Sequence, residues 1–449
     1  MTETTIRPAL RFMLTSALAL GLSACAGGLF GGGDKKTTPT IGEREPILSR
    51  IESGAKVDPA LAGVAVTLPA AQPNPSWAQT GGTASKSYGH PALAQNPARA
   101  FSVNVAGSSK QRRLAAAPVV GGGRLYVVGT DGRVSAFDAA TGASVWAYQA
   151  DLSEDLRPSA FGGGVSYDGG TLYGTDGVGN VYALNAETGA QLWKVKPAGP
   201  LRGAPTIAFD NVFVMTQDNQ LFALNAANGE VNWQESGSTT QAGVFGVAAP
   251  AAGQGTVVAG YTSGELVAYR YENGRNLWAD ALAQTSISTQ VGTLNDIDAD
   301  PIIDNGRVYA LGQGGRMAAY ELLSGQRIWE LSLAGISTPA VAGNWIFVLT
   351  DDGRLLAIAR ETGKVRWLTQ LPQYRNAEDK KGAIYWRGPV LAGGQLWLVN
   401  SLGQVYRVGT EEGSASLFTT LDQPISLAPV VADNTLYVMD DSGRITAFR

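Results

Sequence analysis

An all-β, eight-bladed β-propeller is the fold this sequence predicts, and three observations predict it. A pattern of about 40 residues recurs from Pro118 to Arg449, the signature of a repeat architecture. Within each copy apolar residues alternate at the period of a half-buried strand. The eighth copy stops one strand short, while a spare strand stands just before the first.

The first copy reads Pro118-Val-Val, Leu125-Tyr-Val-Val, Asp131-Gly132, Val134-Ser-Ala-Phe137, Thr141-Gly142 and Trp146. Trp follows the anchor proline by 28 residues in Pro118/Trp146, Pro205/Trp233, Pro250/Trp278, Pro301/Trp329 and Pro339/Trp367. One unit has Val165 in the proline's place and closes on Trp193; two more start at Pro389 and Pro429.

Taking the elements in order, seven residues past the anchor an aliphatic recurs in a second strand (Leu125, Leu172, Val212 and their equivalents). Gly132, Gly179, Asn219 and their equivalents then supply the positive φ that a tight hairpin demands. A third strand carries a small residue, Ala136 to Ala447, replaced by Arg407 in the seventh copy. A second glycine (Gly142, Gly189, Gly229 and so on) leads into a fourth strand bearing the Trp. Each copy is a four-stranded meander, too small to stand alone, and packing such sheets around an axis protects their edges. Phe101-Ser-Val-Asn-Val105 is the strand available to complete the last blade and close the ring.

The front of the chain has a different character. Arg7 and Arg11 precede the apolar run Phe12 to Leu22, too short for the roughly 20 residues a bilayer span needs. It ends in Leu22-Ser-Ala-Cys25, and Cys25 is the sole cysteine. This matches the lipobox of bacterial lipoproteins, which implies cleavage before Cys25 and acylation of that residue, a firm membrane anchor. Ala26, rather than Asp, argues for the outer membrane, facing the periplasm. The expected organisation is a signal peptide over 1–24, a lipidated Gly-, Pro- and Thr-rich flexible tether over 25–75 with a weakly signalled helix near Pro46 to Ser53, and the propeller over 76–449.

Net charge is −4, and removing Glu3, Arg7 and Arg11 with the signal makes it one unit more negative. No basic patch suited to nucleic acid is evident. His90 is the single histidine, so zinc sites and Ser/His/Asp or Cys/His catalysis are excluded; it reads as a surface or hydrogen-bonding loop residue. Asp296-Ile-Asp298-Ala-Asp300 starts like a calcium loop, but Pro301 and Arg307 stand where such a loop needs Gly and Glu. No metal and no cofactor is expected. Alternating Asp residues on an extended segment make an acidic patch for a partner, or else solvated loop charges with a turn cap. Three residues before each anchor stand Ala115, Gly162, Arg202, Val247, Asp298, Ile336, Trp386 and Ser426. These should ring one end of the propeller, chemically varied where the blades are uniform, as a binding face is. Exchanging Trp386 or Asp298 should then weaken binding without lowering the melting temperature.

The Gly-x-Leu-Tyr-Val, Asp-Gly-x-Val-x-Ala-Phe-Asp-Ala-x-Thr-Gly and Trp frame resembles the PQQ-type propeller repeat. Together with the lipobox and eight copies, it resembles the BamB family of lipoproteins. Asn74-Pro-Ser-Trp77-Ala-Gln-Thr-Gly-Gly82, followed by Gly89-His90, is similar to the α-proteobacterial branch. The resemblance implies a non-catalytic subunit of the machine that assembles outer-membrane β-barrels. Its partners would be a POTRA domain of BamA, other subunits of that complex, and unfolded outer-membrane proteins. It also implies two docking loops: Asp296-Ile-Asp298 matches one, and Ala242-Gly-Val244-Phe245-Gly246 the other, with Phe245 in place of the family's arginine. The alternative is a PQQ-dependent quinoprotein dehydrogenase or another cofactor-binding propeller. Such enzymes use stacking Trp and often paired cysteines, whereas most Trp here belong to the repeat frame and no cysteine pair exists.

Overall fold

Short strands separated by glycine turns leave each repeat with one solution, a twisted meander whose faces must be covered by its neighbours. In the computed structural model, which describes residues 55–238, 248–282 and 295–449, they form eight four-stranded antiparallel sheets. Blade 1 follows the strand β1 (Arg99–Asn104) and consists of β2 (Val119–Gly121), β3 (Arg124–Val128), β4 (Arg133–Asp138) and β5 (Ser144–Gln149). Blades 2 to 7 repeat that order, ending with the sheet of Trp386–Ala392, Gln395–Asn400, Gln404–Gly409 and Ala415–Thr420. The described residues lie within one compact unit, Ile51–Arg449. The signal segment, Cys25, the helix expected near Pro46 to Ser53, Val244 and Phe245 lie outside the described residues.

The ring closes as the missing strand requires. Blade 8 contributes Val430–Ala432, Thr435–Met439 and Arg444–Phe448 from the C-terminus, and β1 pairs antiparallel with Arg444–Phe448, Val103 opposite Ile445. Ala98 and Arg449 exchange backbone hydrogen bonds at 2.6 and 2.7 Å, so the last residue is held. All eight hairpin positions, Gly132 to Gly443 with Asn219 among them, have positive φ.

The second glycine does more than end a strand. The indole of Trp146 lies against Gly189 of blade 2, where an added Cβ would sit 2.6 Å from the ring. Trp193, Trp233, Trp278, Trp329 and Trp367 lie in the same way on Gly229, Gly274, Gly325, Gly363 and Gly413. Each indole N–H donates to a carbonyl of the following blade, for example Trp146 to Ala186 at 3.0 Å and Trp329 to Arg360 at 2.9 Å. At the closure Phe101 of β1 takes the place of Trp against Gly142. The repeat's Trp and glycine are two halves of one inter-blade joint.

Residues 55–98 pack on the propeller, so the described part of the segment expected to be tether runs along the molecule. The nitrogen of Asp58 donates to Val365 O of blade 6, Arg366 donates to Val64 O, and Asn74 donates to Val431 O of blade 8. His90 fastens a turn of this strap: its Nε2 accepts from Gly394 N at 2.8 Å, which leaves Nδ1 protonated to donate to Pro69 O at 2.8 Å. Arg407, the exception to the small-residue position, donates to Gln95 O and Asn96 Oδ1, holding the strap where it enters β1.

Candidate functional site

Innermost strands of a propeller face its axis with one backbone edge, and those N–H and C=O groups need partners. Here the strap supplies them. Trp77 and Val120 exchange backbone bonds, Tyr167 N donates to Ala78 O, Ala252 N to Ala84 O, and Ile303 N to Ser85 O. Gln79 makes a two-pronged bond with the backbone of Ile207, and Leu391 N donates to the Tyr88 hydroxyl. Residues 77–88 thus cross the axis and bind the inner strands of blades 1 to 5 and 7. Trp77 is 4% exposed and packs on Tyr88, ring centroids 4.6 Å apart.

This plug is the floor of a cavity of ≈ 470 Å³ at the end of the axis where the chain passes into the inner strands. Trp77, Thr80, Gly81 and Tyr88 form the base, and the anchors Pro118, Pro339, Pro389 and Pro429 stand in the wall. Four of the eight ring positions, Ala115, Asp298, Ile336 and Ser426, line it. Arg202, in the strand Leu201–Ala208, pairs through its backbone with Met215 of the strand Asn211–Thr216; its side chain, like all of Val247, lies outside the described residues.

The acidic run does not present three carboxylates to solvent. Asp296 is 1% exposed and Asp300 4%, whereas Asp298 is half-buried; Asp298 and Asp300 line the cavity. The reason is that the segment is already joining blade 5. Ile297 N donates to Tyr261 O, and its side chain fills the space beside Gly260. Asp300 Oδ1 accepts from Ala249 N at 2.8 Å, and its own N–H donates to Thr338 Oγ1 at 3.0 Å. Burial pushes the Asp300 carboxyl up, opposed by Lys86 and by the Ala249 N–H.

Trp386 is also turned away from the cavity. It is 5% exposed, donates its indole N–H to Pro372 O at 2.9 Å, and meets Tyr406 edge-on. Its exchange therefore cannot leave stability untouched: Trp386→Ala should cost about 3–5 kcal/mol, read as a lower melting temperature, and an unchanged value would refute the packing role.

The neighbouring Arg387 faces the cavity instead. Its Nε and Nη1 donate to Ser426 O and Trp386 O. Burial lowers its pKa, and the carboxylates of Asp351, Asp298 and Asp441 oppose that shift. A signal for Arg387 existed: two residues before the anchor the other copies have Ala116, Gly163, Gly203, Ala248, Ala299, Ser337 and Leu427. The site is thus an apolar cup with opposite charges, Asp298 and Arg387, on its wall. That arrangement can seat a partner's side chains and orient them by charge. Among the described residues no group of three or more His, Cys, Asp or Glu is placed to hold a metal ion, and no helix is long and apolar enough to cross a membrane.

The family model described as "Outer membrane protein assembly factor BamB" matches residues 99–160 and 149–369, beginning at the first residue of β1. A protein of that description from Yersinia pestis is 28% identical over 338 residues, covering 74% of this chain and 83% of the relative. The crystal structure of BamB from Moraxella catarrhalis superposes with a TM-score of 0.63 at 20% identity, covering 79% of this chain and 99% of that one. A europium-containing methanol dehydrogenase reaches 0.65 at 15% identity over 81% of this chain and 89% of its own. Both structures share the fold, and at such identities the likeness carries no chemistry.

Proposed function

The chain belongs to the family of the outer membrane protein assembly factor BamB, and from that premise we propose that it is a non-catalytic scaffold of the complex that inserts β-barrels into the outer membrane. It docks a POTRA domain of the barrel-forming subunit BamA and is held at the outer membrane, facing the periplasm, by lipid on Cys25. The observation that carries this reading is the family match, which starts at the ring-closing strand and runs through the sixth blade.

Docking is assigned to the end of the ring that holds the cavity. Asp298 and Asp300 of the acidic run both line the cavity, Asp298 being the more exposed of the two, and Arg387 stands on the same wall. The exposed Arg113 lines the same cavity and adds positive charge. Such a mixed surface suits a partner of alternating charge, since complementarity sets register as well as encounter rate.

Affinity purification from detergent-solubilised outer membranes tests the reading. A POTRA-bearing barrel protein is expected in the eluate, and recovery of the tagged chain without it sinks the proposal. Dye reduction after incubation with PQQ and calcium is expected to stay at background.

A further inference from the structure

The strap motif Asn74-Pro-Ser-Trp77-Ala-Gln-Thr-Gly-Gly82 stands outside the repeat, and it gives the cavity its floor. Three features of that cup select what can enter it. Its base is aromatic: Trp77 and Tyr88 both line it, their ring centroids 4.6 Å apart and the rings tilted by 47°. Its wall carries four anchor prolines, whose rings offer C–H surface and leave no backbone N–H to satisfy. Its buried cation is a guanidinium held in place: Arg387 donates from Nε to Ser426 O at 3.1 Å and from Nη1 to Trp386 O at 2.9 Å. Small residues leave the mouth open, since Ala115 is half-buried there and Ala428 exposed. At ≈ 470 Å³ the cup has the size of a ligand pocket. Because the plug closes the base, a chain cannot thread through, and entry is by a side chain from the mouth.

Resting on the docking role proposed for this face, we infer that the cup seats an aromatic side chain of the protein partner, with its ring directed at Trp77 and Tyr88. Any apolar group that fills the cup gains from leaving water. A ring gains twice more. Offset or edge-on contact with the two floor rings matches the negative face of one arene to the positive edge of another. A guanidinium already fixed in orientation meets the face of a guest ring without losing further freedom. An aliphatic side chain of similar size gets neither contribution. The charges around the cup point to a protein as the source of the ring: Asp298 and the exposed Arg113 line it with Arg387 and can pair with residues flanking the aromatic one. An aromatic anchor in a desolvated pocket, surrounded by polar contacts, is the usual energetic centre of a protein interface. The strap precedes Arg99, where the family match begins, so the aromatic floor belongs to the strap rather than to the repeated frame.

Two capped amino acids test this on the unmutated, detergent-solubilised full chain. N-acetyl-phenylalaninamide is the probe and N-acetyl-leucinamide its aliphatic control. Ile336 lines the cup, so its methyl NMR signal, assigned with the variant Ile336→Val, reports entry through the ring current of the bound arene. The aromatic amide should shift that signal saturably with a Kd of about 1 mM. The leucine amide should bind at least about fivefold more weakly. Competition then reads whether the partner uses the same space. At about 10 mM the aromatic amide should raise the apparent Kd of a POTRA-bearing barrel protein about elevenfold, and the leucine amide about threefold at most. No saturable shift at Ile336, or equal affinity for the two amides, overturns the aromatic cup. A probe that fills the cup without weakening a partner that does bind overturns the partner's ring as its occupant. Absence of partner binding with no probe present would instead sink the docking role, while the Ile336 signal would still decide whether the cup prefers a ring.

Discussion

Val103→Asp is expected to destabilise the protein by about 3–5 kcal/mol, the usual cost of a buried charge without a partner. Val103 is 6% exposed in the middle of β1, opposite Ile445, and packs in a core shared by blades 1, 7 and 8. A carboxylate there must either stay ionised in an apolar core or take up a proton, and both outcomes weaken the β1 pairing. Once β1 leaves, the strand Arg444–Phe448 becomes a bare edge and Phe101 withdraws from Gly142. The ring is closed at one joint by chain ends, so the damage should be concentrated there. Thermal denaturation should show a fall of about 5 °C for a unit of this size, and amide exchange should accelerate first in 444–448. Ser102→Asp is the control, since Ser102 is exposed on the same strand; it should change stability by no more than about 0.5 kcal/mol. Equal losses in the two variants would mean that β1 does not hold the ring.

Charge reversal at Asp298 has the second largest expected effect, read in binding. Asp298→Arg should weaken docking of a POTRA-bearing partner by about 2–3 kcal/mol, roughly 30- to 150-fold in Kd. The side chain is half-buried on the cavity wall, where screening by salt is weaker than at an open rim. Replacing its negative charge also places a third positive group near Arg387 and Arg113. Asp298→Asn should fall between the two. Isothermal titration at two salt concentrations, run well below each variant's melting temperature, reads the effect, since loss of the carboxylate facing Arg387 also costs some stability. Undiminished affinity in Asp298→Arg would remove this wall from the docking surface.

The blade count, the hairpin glycines and the ring-closing strand were all legible in the sequence because each is a local, repeated signal. Gly132 and its equivalents must take positive φ wherever the blade is placed, and the unmatched Phe101 to Val105 strand has a single vacancy to fill. The candidate site was legible in part. Asp298 emerged from its position before the anchor, but the same rule chose Trp386, which packs inward on Tyr406. Arg387 was passed over by one residue. On an extended segment one step reverses the direction of the side chain, and the loops before the anchors are too irregular for a common phase.

What the sequence by itself determined is the unit, short strands joined by glycine turns in eight copies, six of them closed by a Trp, because strand period and turn stereochemistry act between residues a few positions apart. The joints were decided only by the tertiary structure. Each Trp finds its glycine in the following blade, and the strap's Trp77 to Tyr88 finds partners on inner strands as distant as Leu391. The strap's path across the axis, the closed floor of the cavity and the buried Lys86–Thr206 bond depend on which surfaces meet once the ring has formed. No local period encodes that, since an apolar or charged side chain favours burial or pairing without specifying with whom.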